Sequence, residues 1–485
     1  MKNRHNFALT VLILIFFFIF AFSLPSAAEQ GTQNNHPEEV SDDLGDDFED
    51  DFDENLEKTE GESATAEKSD SKESLESSAF LFGGHLKVGS SYNYAHKKPD
   101  PGETDWRGLS SLKTELQLEL DAKLSSSWQL FLSGDGFHDF VYSIRGRDNY
   151  TSEVLDNYET EAELRKAYLR GKITKKLDLK AGRQIVVWGK SDNIRVTDIL
   201  NPIDLREPGL TDLEDLRLPV AMTRLDFYHG KWGISGIAIH EHRYNKMPEY
   251  GSDFYPSPFS PFPEEKPSSR IENTELAFSA NGIFTGWDIS FYYANFYNDE
   301  AHLEFFPYPA MHHSRISMFG SAFNIAQGNW LLKTEAAFFD GIRFSDFYSG
   351  AVPTVNAKTY SRLDVLAGVE YSGFTDTTVS VEAVNRYYTD FNREAELSGE
   401  EENSFQTAVR ISRDFLNETL NLTFLALVYE PTGDDGALFR LTAEYDLTDN
   451  IEIMGGIVDY KSGDLFEFSK IGKNDRLYFN IKYSF

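Results

Sequence analysis

In LKTELQLELDAKL, residues 112 to 124, Leu112, Thr114, Leu116, Leu118, Leu120, Ala122 and Leu124 alternate with Lys113, Glu115, Gln117, Glu119, Asp121 and Lys123. A period of two puts one set on each face of an extended strand, so one face is apolar and the other charged. The same alternation returns in RLDVLAGVEY, LNLTFLALVY and RLYFNIKYSF, and no helical period rivals it after residue 80. About 18 such segments are long enough to cross a bilayer in extended conformation, or 16 if one weak hairpin is loop.

The connections between segments come in two sizes. Short turns such as SSS (125 to 127), TKK (174 to 176), HGK (229 to 231), AQGN (326 to 329) and LTDN (447 to 450) alternate with much longer polar stretches. Trp128, Trp232, Trp287 and Trp330 each follow a short turn at once, which places four indoles at one level, as an interfacial aromatic girdle requires. A soluble sandwich gives no reason for that registration. The pattern predicts an all-β fold: a transmembrane antiparallel β-barrel of about 18 strands, with short periplasmic turns and long extracellular loops.

The last segment sharpens this. Leu477, Phe479, Ile481, Tyr483 and Phe485 share one parity, and the sequence stops on an aromatic. It resembles the C-terminal assembly signal of Gram-negative outer-membrane barrels, which implies that Phe479, Ile481, Tyr483 and Phe485 are read by the barrel assembly machinery.

The N-terminus reads as export machinery rather than fold. KNRH, the apolar run FALTVLILIFFFIFAFSL and the small residues Ser26 and Ala28 make residues 1–28 a signal peptide cut after Ala28. Residues 29–78 then hold 19 acidic residues against three lysines, too little apolar surface to offset chain entropy, and are expected to form an acidic disordered periplasmic segment. Within it Val40, Leu44, Phe48, Phe52 and Leu56 recur every four positions. On a helix that stripe drifts about 40° per step, so Leu44, Phe48, Phe52 and Leu56 are a candidate docking motif for a periplasmic partner rather than one straight face.

The formal charge of −33 makes nucleic acid an unsuitable partner. The chain has no cysteine, hence neither lipid anchor nor disulfide framework. No G-x-S-x-G or comparable nucleophile setting is present. His240, His242, His312 and His313 offer pairs without a third ligand, so neither an enzyme nor a metal or other cofactor is expected.

Residues 79–485 are therefore the barrel, integral to the outer membrane, in contact with its lipid and lipopolysaccharide, with the N-terminus periplasmic. Its lumen wall should carry Glu115, Glu119, Arg362, Asp364, Glu382, Arg386, Arg440, Glu444 and Lys482, because charged side chains on a strand avoid lipid. After Trp188-Gly189 comes a dense charged passage: Lys190, Asp192, Arg195, Asp198, Asp204, Arg206, Asp212, Asp215 and Arg217. Ile194, Val196, Ile199, Leu200, Ile203, Leu205 and Leu210 are interleaved with these charges. A merely solvated loop has no need of so many apolar residues. Folding residues 189–219 inward would bury them and leave the charges as a pore constriction, together with Trp188 and with Arg183, which a bulge at Gly182-Arg183 would turn inward. The fifth strand is expected to run through Trp188. The loop 241–272, rich in Pro, Tyr and Phe, reads as a cover packed on its neighbours.

GRQIVVWGKS, then ILNPIDL, Pro208-Gly209 and Leu218-Pro219-Val220, resembles a widespread group of uncharacterised porin-like outer-membrane proteins in which W-G, N-P-x-D and L-P-V occur in this order. Those motifs span about forty residues, and the rest matches only as barrel. The resemblance implies a channel, in a group associated with hydrophobic or aromatic compounds. Lys190 stands where that group commonly has Glu. The function expected is passive or weakly selective passage of small solutes with cation preference. The alternative is a scaffold or sheath that recruits a periplasmic partner through the acidic segment.

Overall fold

The computed structural model describes residues 79–99 and 103–485. The signal peptide 1–28, the acidic segment 29–78 and its stripe Leu44, Phe48, Phe52 and Leu56 lie outside the described residues. Eighteen strands form one antiparallel sheet. They are β1 (Phe80–Asn93), β2 (Gly108–Lys123), β3 (Trp128–Asp139), β4 (Thr160–Thr174), β5 (Leu177–Gln184), β6 (Val220–His229), β7 (Trp232–Ile239), β8 (Glu275–Phe284) and β9 (Trp287–Tyr297). The ring continues through β10 (Arg315–Gln327), β11 (Trp330–Ile342), β12 (Tyr360–Phe374), β13 (Thr377–Tyr388), β14 (Asn403–Phe415), β15 (Leu420–Tyr429), β16 (Gly436–Thr448), β17 (Ile451–Lys461) and β18 (Arg476–Ser484).

Each strand pairs with its neighbours in sequence, and β18 returns to β1, with His85 opposite Ser484 and Asn93 opposite Arg476. Phe485 completes the seam: its N–H donates to Gly84 O at 3.0 Å and its carbonyl accepts from Gly84 N at 3.1 Å. Closure leaves no unpaired edge, the condition under which a sheet can stand in hydrocarbon.

The two parities separate as the sequence pattern requires. Leu116 and Leu118, Leu363 and Val365, and Leu477, Phe479, Ile481, Tyr483 and Phe485 are exposed, whereas Asp364, Glu382, Arg440 and Arg476 on the other parity are buried. An apolar exterior over a charged interior suits lipid outside and polar contents inside. The strands β3, β7, β9 and β11 each open on a tryptophan directly after a short turn. No helix among the described residues is long and apolar enough to cross a membrane.

Width then decides what the interior needs. With strands about 4.8 Å apart and tilted by about 40°, eighteen of them close at a backbone radius of about 18 Å, more than side chains alone fill. A cluster of buried apolar residues lies inside the ring. It joins Val186, Trp188, Ile194, Val196 and Leu200 to the inward residues Val220, Met222, Ile237, Ile239, Tyr292, Phe296, Ile316, Met318 and Phe339 of strands β6 to β11.

Two local expectations are corrected. The fifth strand stops at Gln184 rather than at Trp188. Beyond it, Asn201 Oδ1 takes the N–H of Val186 at 2.8 Å, drawing the backbone out of the ladder. Nor is there a bulge at Gly182-Arg183, where β4 and β5 stay in register with Ala167 opposite Arg183. The irregularity that adjusts this region sits between β3 and β4, where Leu132 faces Ala167 but Gly134 faces Leu164. Gly182 has φ 128°, and a Cβ there would collide with the carbonyl of Ala167. Gly182→Val is therefore expected to lower the yield of folded barrel by strain of about 1–3 kcal/mol plus that collision. Heat-modifiable migration on gels measures it, and a wild-type yield would contradict the role given to Gly182.

Candidate functional site

The segment between β5 and β6 is organised by one amide. Asn201, fully buried, accepts from Val186 N and donates through Nδ2 to Gln184 O at 3.2 Å and to Leu218 O at 2.9 Å. It thus pins the departure and the return of the loop at one point, and the adjacent Pro202 O accepts from Leu218 N at 2.7 Å. Asp198 makes the second knot: Oδ2 pairs with Arg217 Nε at 2.9 Å, and Oδ1 accepts from Trp188 N at 3.3 Å. Arg195 closes around it by donating to Asp198 O and to Asn201 O, each at 2.7 Å. Trp188 stacks on Tyr292 of β9 with ring centroids 4.7 Å apart.

Two wall carboxylates hold the outgoing half of the loop. Glu335 of β11 accepts from Lys190 N at 2.6 Å and Ser191 N at 2.7 Å through Oε1, and from Thr197 N at 3.1 Å and Thr197 Oγ1 at 2.7 Å through Oε2. Glu382 of β13 accepts from Asp192 N at 2.9 Å, Asn193 N at 3.0 Å and Ser191 Oγ at 2.8 Å. Successive amides converging on an anion satisfy backbone donors that would otherwise be buried without partners. Gly189, at φ 89°, makes the turn that presents them, and a Cβ there would press on the Glu335 carboxylate.

The rest of the loop reaches strand after strand. Lys190 pairs with Asp288 of β9 at 2.6 Å, Asp192 with Lys333 of β11 at 2.5 Å, and Glu207 with Lys113 of β2 at 3.3 Å. Arg206 bridges its neighbour Asp204 and Glu161 of β4, the latter at 2.8 Å. Asp212 pairs with Arg410 of β14 at 3.2 Å and with Arg440 of β16, and Tyr460 of β17 donates to Pro208 O at 2.6 Å. Partners on β2, β4, β9, β11, β13, β14, β16 and β17 surround the ring, so the segment runs across the space they enclose.

Four residues expected at the pore surface are not there. Trp188, Asp198 and Arg217 are buried, and Arg195 lies mostly covered against Asp198. Asp198 is shared by the two guanidiniums of Arg195 and Arg217, because an isolated ion in the apolar interior would be costly, and Arg195 also draws on Asp299. Arg183 does face the loop side, pairing with Glu163 at 3.2 Å and Glu241 at 3.1 Å. Among the expected wall residues, Asp364 is clamped between Arg362 at 2.8 Å and Arg386 at 3.7 Å, and Arg386 donates to Arg195 O at 3.5 Å. Glu115 pairs with Lys87 at 3.0 Å and Lys482 with Glu452 at 2.7 Å. Glu119 accepts from Gln117 at 2.6 Å.

The charge balance of the loop is asymmetric. Its four basic residues, Lys190, Arg195, Arg206 and Arg217, are all paired, while Glu214 and Asp215 are exposed and carry no ion pair among the described residues. Above the wall, Asp299 and Glu300 after β9, Glu400 after β13 and Glu467 after β17 influence one another across separate connections. Burial, with Glu275 and Glu300 nearby, pushes the Asp299 carboxyl up to about 7 against the pull of Arg195. Burial and Glu300 do the same for Glu400, also to about 7.

Glu335 and Lys333 were not singled out from the sequence, although both fall on the inward parity of WLLKTEAAFFD that marks Glu382 in its own strand. In the sequence Asn201 stands out only as part of ILNPIDL. The long connection 241–272 packs on this same assembly: Asn245 Oδ1 accepts from Ile203 N at 2.8 Å, Lys246 pairs with Glu161, and Asp253 pairs with the buried Arg476 at 2.7 Å. His242 lies edge-on to Tyr297, and His313 stacks on Tyr244.

A family model described as "Protein of unknown function (DUF1302)" matches residues 10–485. The chain belongs to the DUF1302 family. No curated protein matches it. Among solved structures, this DUF1302 protein is similar to Acinetobacter baumannii OccAB3, at 11% identity and a TM-score of 0.51, over 84% of this chain and 99% of that one. It is similar also to OccAB2 of the same organism, at 8% identity and a TM-score of 0.50, over 84% and 98%. At these identities the likeness is one of fold, the closed barrel that the DUF1302 chain forms here.

Proposed function

We propose that this DUF1302 protein is an outer-membrane channel for small solutes, constricted by residues 189–219 and selective for cations. The observation that carries the reading is the loop itself: an interior segment tied by side chains to strands around a barrel about 18 Å in radius. Such a segment narrows an opening that the wall alone leaves wide. The OccAB2 and OccAB3 likeness supports the barrel, and the family motifs in GRQIVVWGKS and ILNPIDL coincide with the residues that fasten the loop. Hydrophobic or aromatic cargo is the association of the resembling group alone, since the apolar cluster around Trp188 and Tyr292 is buried between loop and wall.

Cation preference rests on the unpaired Glu214 and Asp215 and on the carboxylates of the long connections. The sign with pH follows from Asp299 and Glu400. Both are charged above about pH 7 and neutral below it, so cation selectivity should fall as pH drops from 8 to 6. Reversal potentials across planar bilayers in a salt gradient measure this directly. Absence of conductance, or a preference for chloride at pH 8, would sink the proposal.

A further inference from the structure

The turn from β15 to β16 reads Glu-Pro-Thr-Gly-Asp-Asp-Gly, residues 430 to 436. It brings Asp435 and Glu430 beside Glu401 of the β13–β14 connection, and one carboxylate oxygen from each lies within 4.8 Å of the other two. Oxygens bound to one calcium ion at about 2.4 Å stand at most about 4.8 Å apart, so the spacing of the three is compatible with one shared ion.

A second observation concerns Asp435 alone. It is 8% exposed, yet among the described residues no hydrogen bond or ion pair reaches its carboxylate. The connection from β17 to β18 covers it. Asp464 N donates to Asp434 O at 2.9 Å, and Gly463 passes so close that a Cβ there would collide with the Asp435 carbonyl group. Glu430 spends one oxygen on Phe405 N at 2.8 Å, and no hydrogen bond or ion pair among the described residues reaches the Glu401 carboxylate. A covered carboxylate facing two others is an arrangement that folding opposes unless a counter-charge enters, and Lys461 reaches the same turn through Thr432 O at 3.0 Å.

We propose that Glu401, Glu430 and Asp435 bind a calcium ion, which ties the β13–β14 connection to the β15–β16 turn. The donors are all carboxylate oxygens, and no histidine joins them, which selects a hard cation over zinc or copper. The loose spacing of the triad suits calcium better than the compact octahedron of magnesium.

The test is equilibrium dialysis of radioactive calcium against the full chain refolded in detergent, at about 0.15 M monovalent salt to suppress diffuse binding. Wild type and Glu396→Gln, an exposed carboxylate elsewhere, are expected to hold one calcium per chain more than Asp435→Asn or Glu401→Gln. Any calcium taken by the acidic residues 29–78 contributes equally to all four. Glu401 is exposed, so Glu401→Gln keeps the test valid if Asp435→Asn fails to fold, as judged by heat-modifiable migration. Equal calcium binding by wild type and Glu401→Gln, or displacement of the extra ion by equimolar magnesium, would overturn the assignment.

Discussion

Glu335→Ala is expected to widen the channel, raising single-channel conductance at least about two-fold and making the open level noisier. The reason is the number of donors that converge on one side chain. Glu335 accepts from the amides of Lys190, Ser191 and Thr197 and from the Thr197 hydroxyl. Hydrogen bonds to a charged acceptor contribute about 1.5–3 kcal/mol each, and donors left buried without a partner cost a comparable amount. The loop can relieve that cost only by moving its amides toward water, away from β11. The wall should survive, since the ladder between β11 and its neighbours does not involve the carboxylate. Glu335→Gln keeps one acceptor oxygen and should fall between the two. Adding Glu382→Ala frees Asp192 and Asn193 as well and should raise conductance further. Planar-bilayer recording reads all four proteins. A folded Glu335→Ala barrel with wild-type conductance would mean that the loop does not narrow the path.

The second large effect separates two kinds of acidic residue in the same loop. Asp198→Asn should destabilise the protein by about 3–5 kcal/mol, because it leaves the Arg217 guanidinium buried without its counter-charge. Asp215→Asn, at an exposed position with no ion pair, should leave stability unchanged and reduce cation selectivity. Urea unfolding followed by tryptophan fluorescence, paired with reversal potentials, distinguishes the outcomes. If Asp198→Asn altered selectivity while leaving stability intact, the pair would have to line the path rather than knot the loop.

These two cases also show where the sequence could be read and where it could not. The barrel was legible because strand parity is a local property: Leu116 and Glu115 differ in environment whatever the distant chain does. Interior strands complicated that rule. On β9, Phe291, Tyr292, Tyr293, Ala294 and Phe296 are apolar on both parities, because Tyr292, Ala294 and Phe296 meet the loop core rather than open lumen. Such double-sided apolarity, shared by the inward positions Met222, Ile237, Ile239, Ile316 and Met318 of other strands, was the available signal that something packs inside.

The charges of the loop were harder. Asp198 and Asp215 are the same residue type in the same polar passage, and only the path of the chain assigns one to a buried pair and the other to solvent. Asn201 gave no sign of its role either. Its three backbone partners, Gln184, Val186 and Leu218, come together only once the loop has turned back on itself.

The alternation of the strands, the short and long connections and the tryptophans behind short turns are all legible in the residue order, and they specify a barrel of about 18 strands, with 16 left open. These follow from periodicity and from contacts between neighbouring strands. It is the folded arrangement that ends the fifth strand at Gln184, lets Glu335 and Glu382 grip the loop, and seats Asp198 between Arg195 and Arg217 inside it. Those outcomes depend on contacts between residues more than a hundred positions apart, such as Ser191 with Glu335, or on the closure of a loop upon itself. Pairing energy at such points is set by geometry and burial, which no local pattern of residue types encodes.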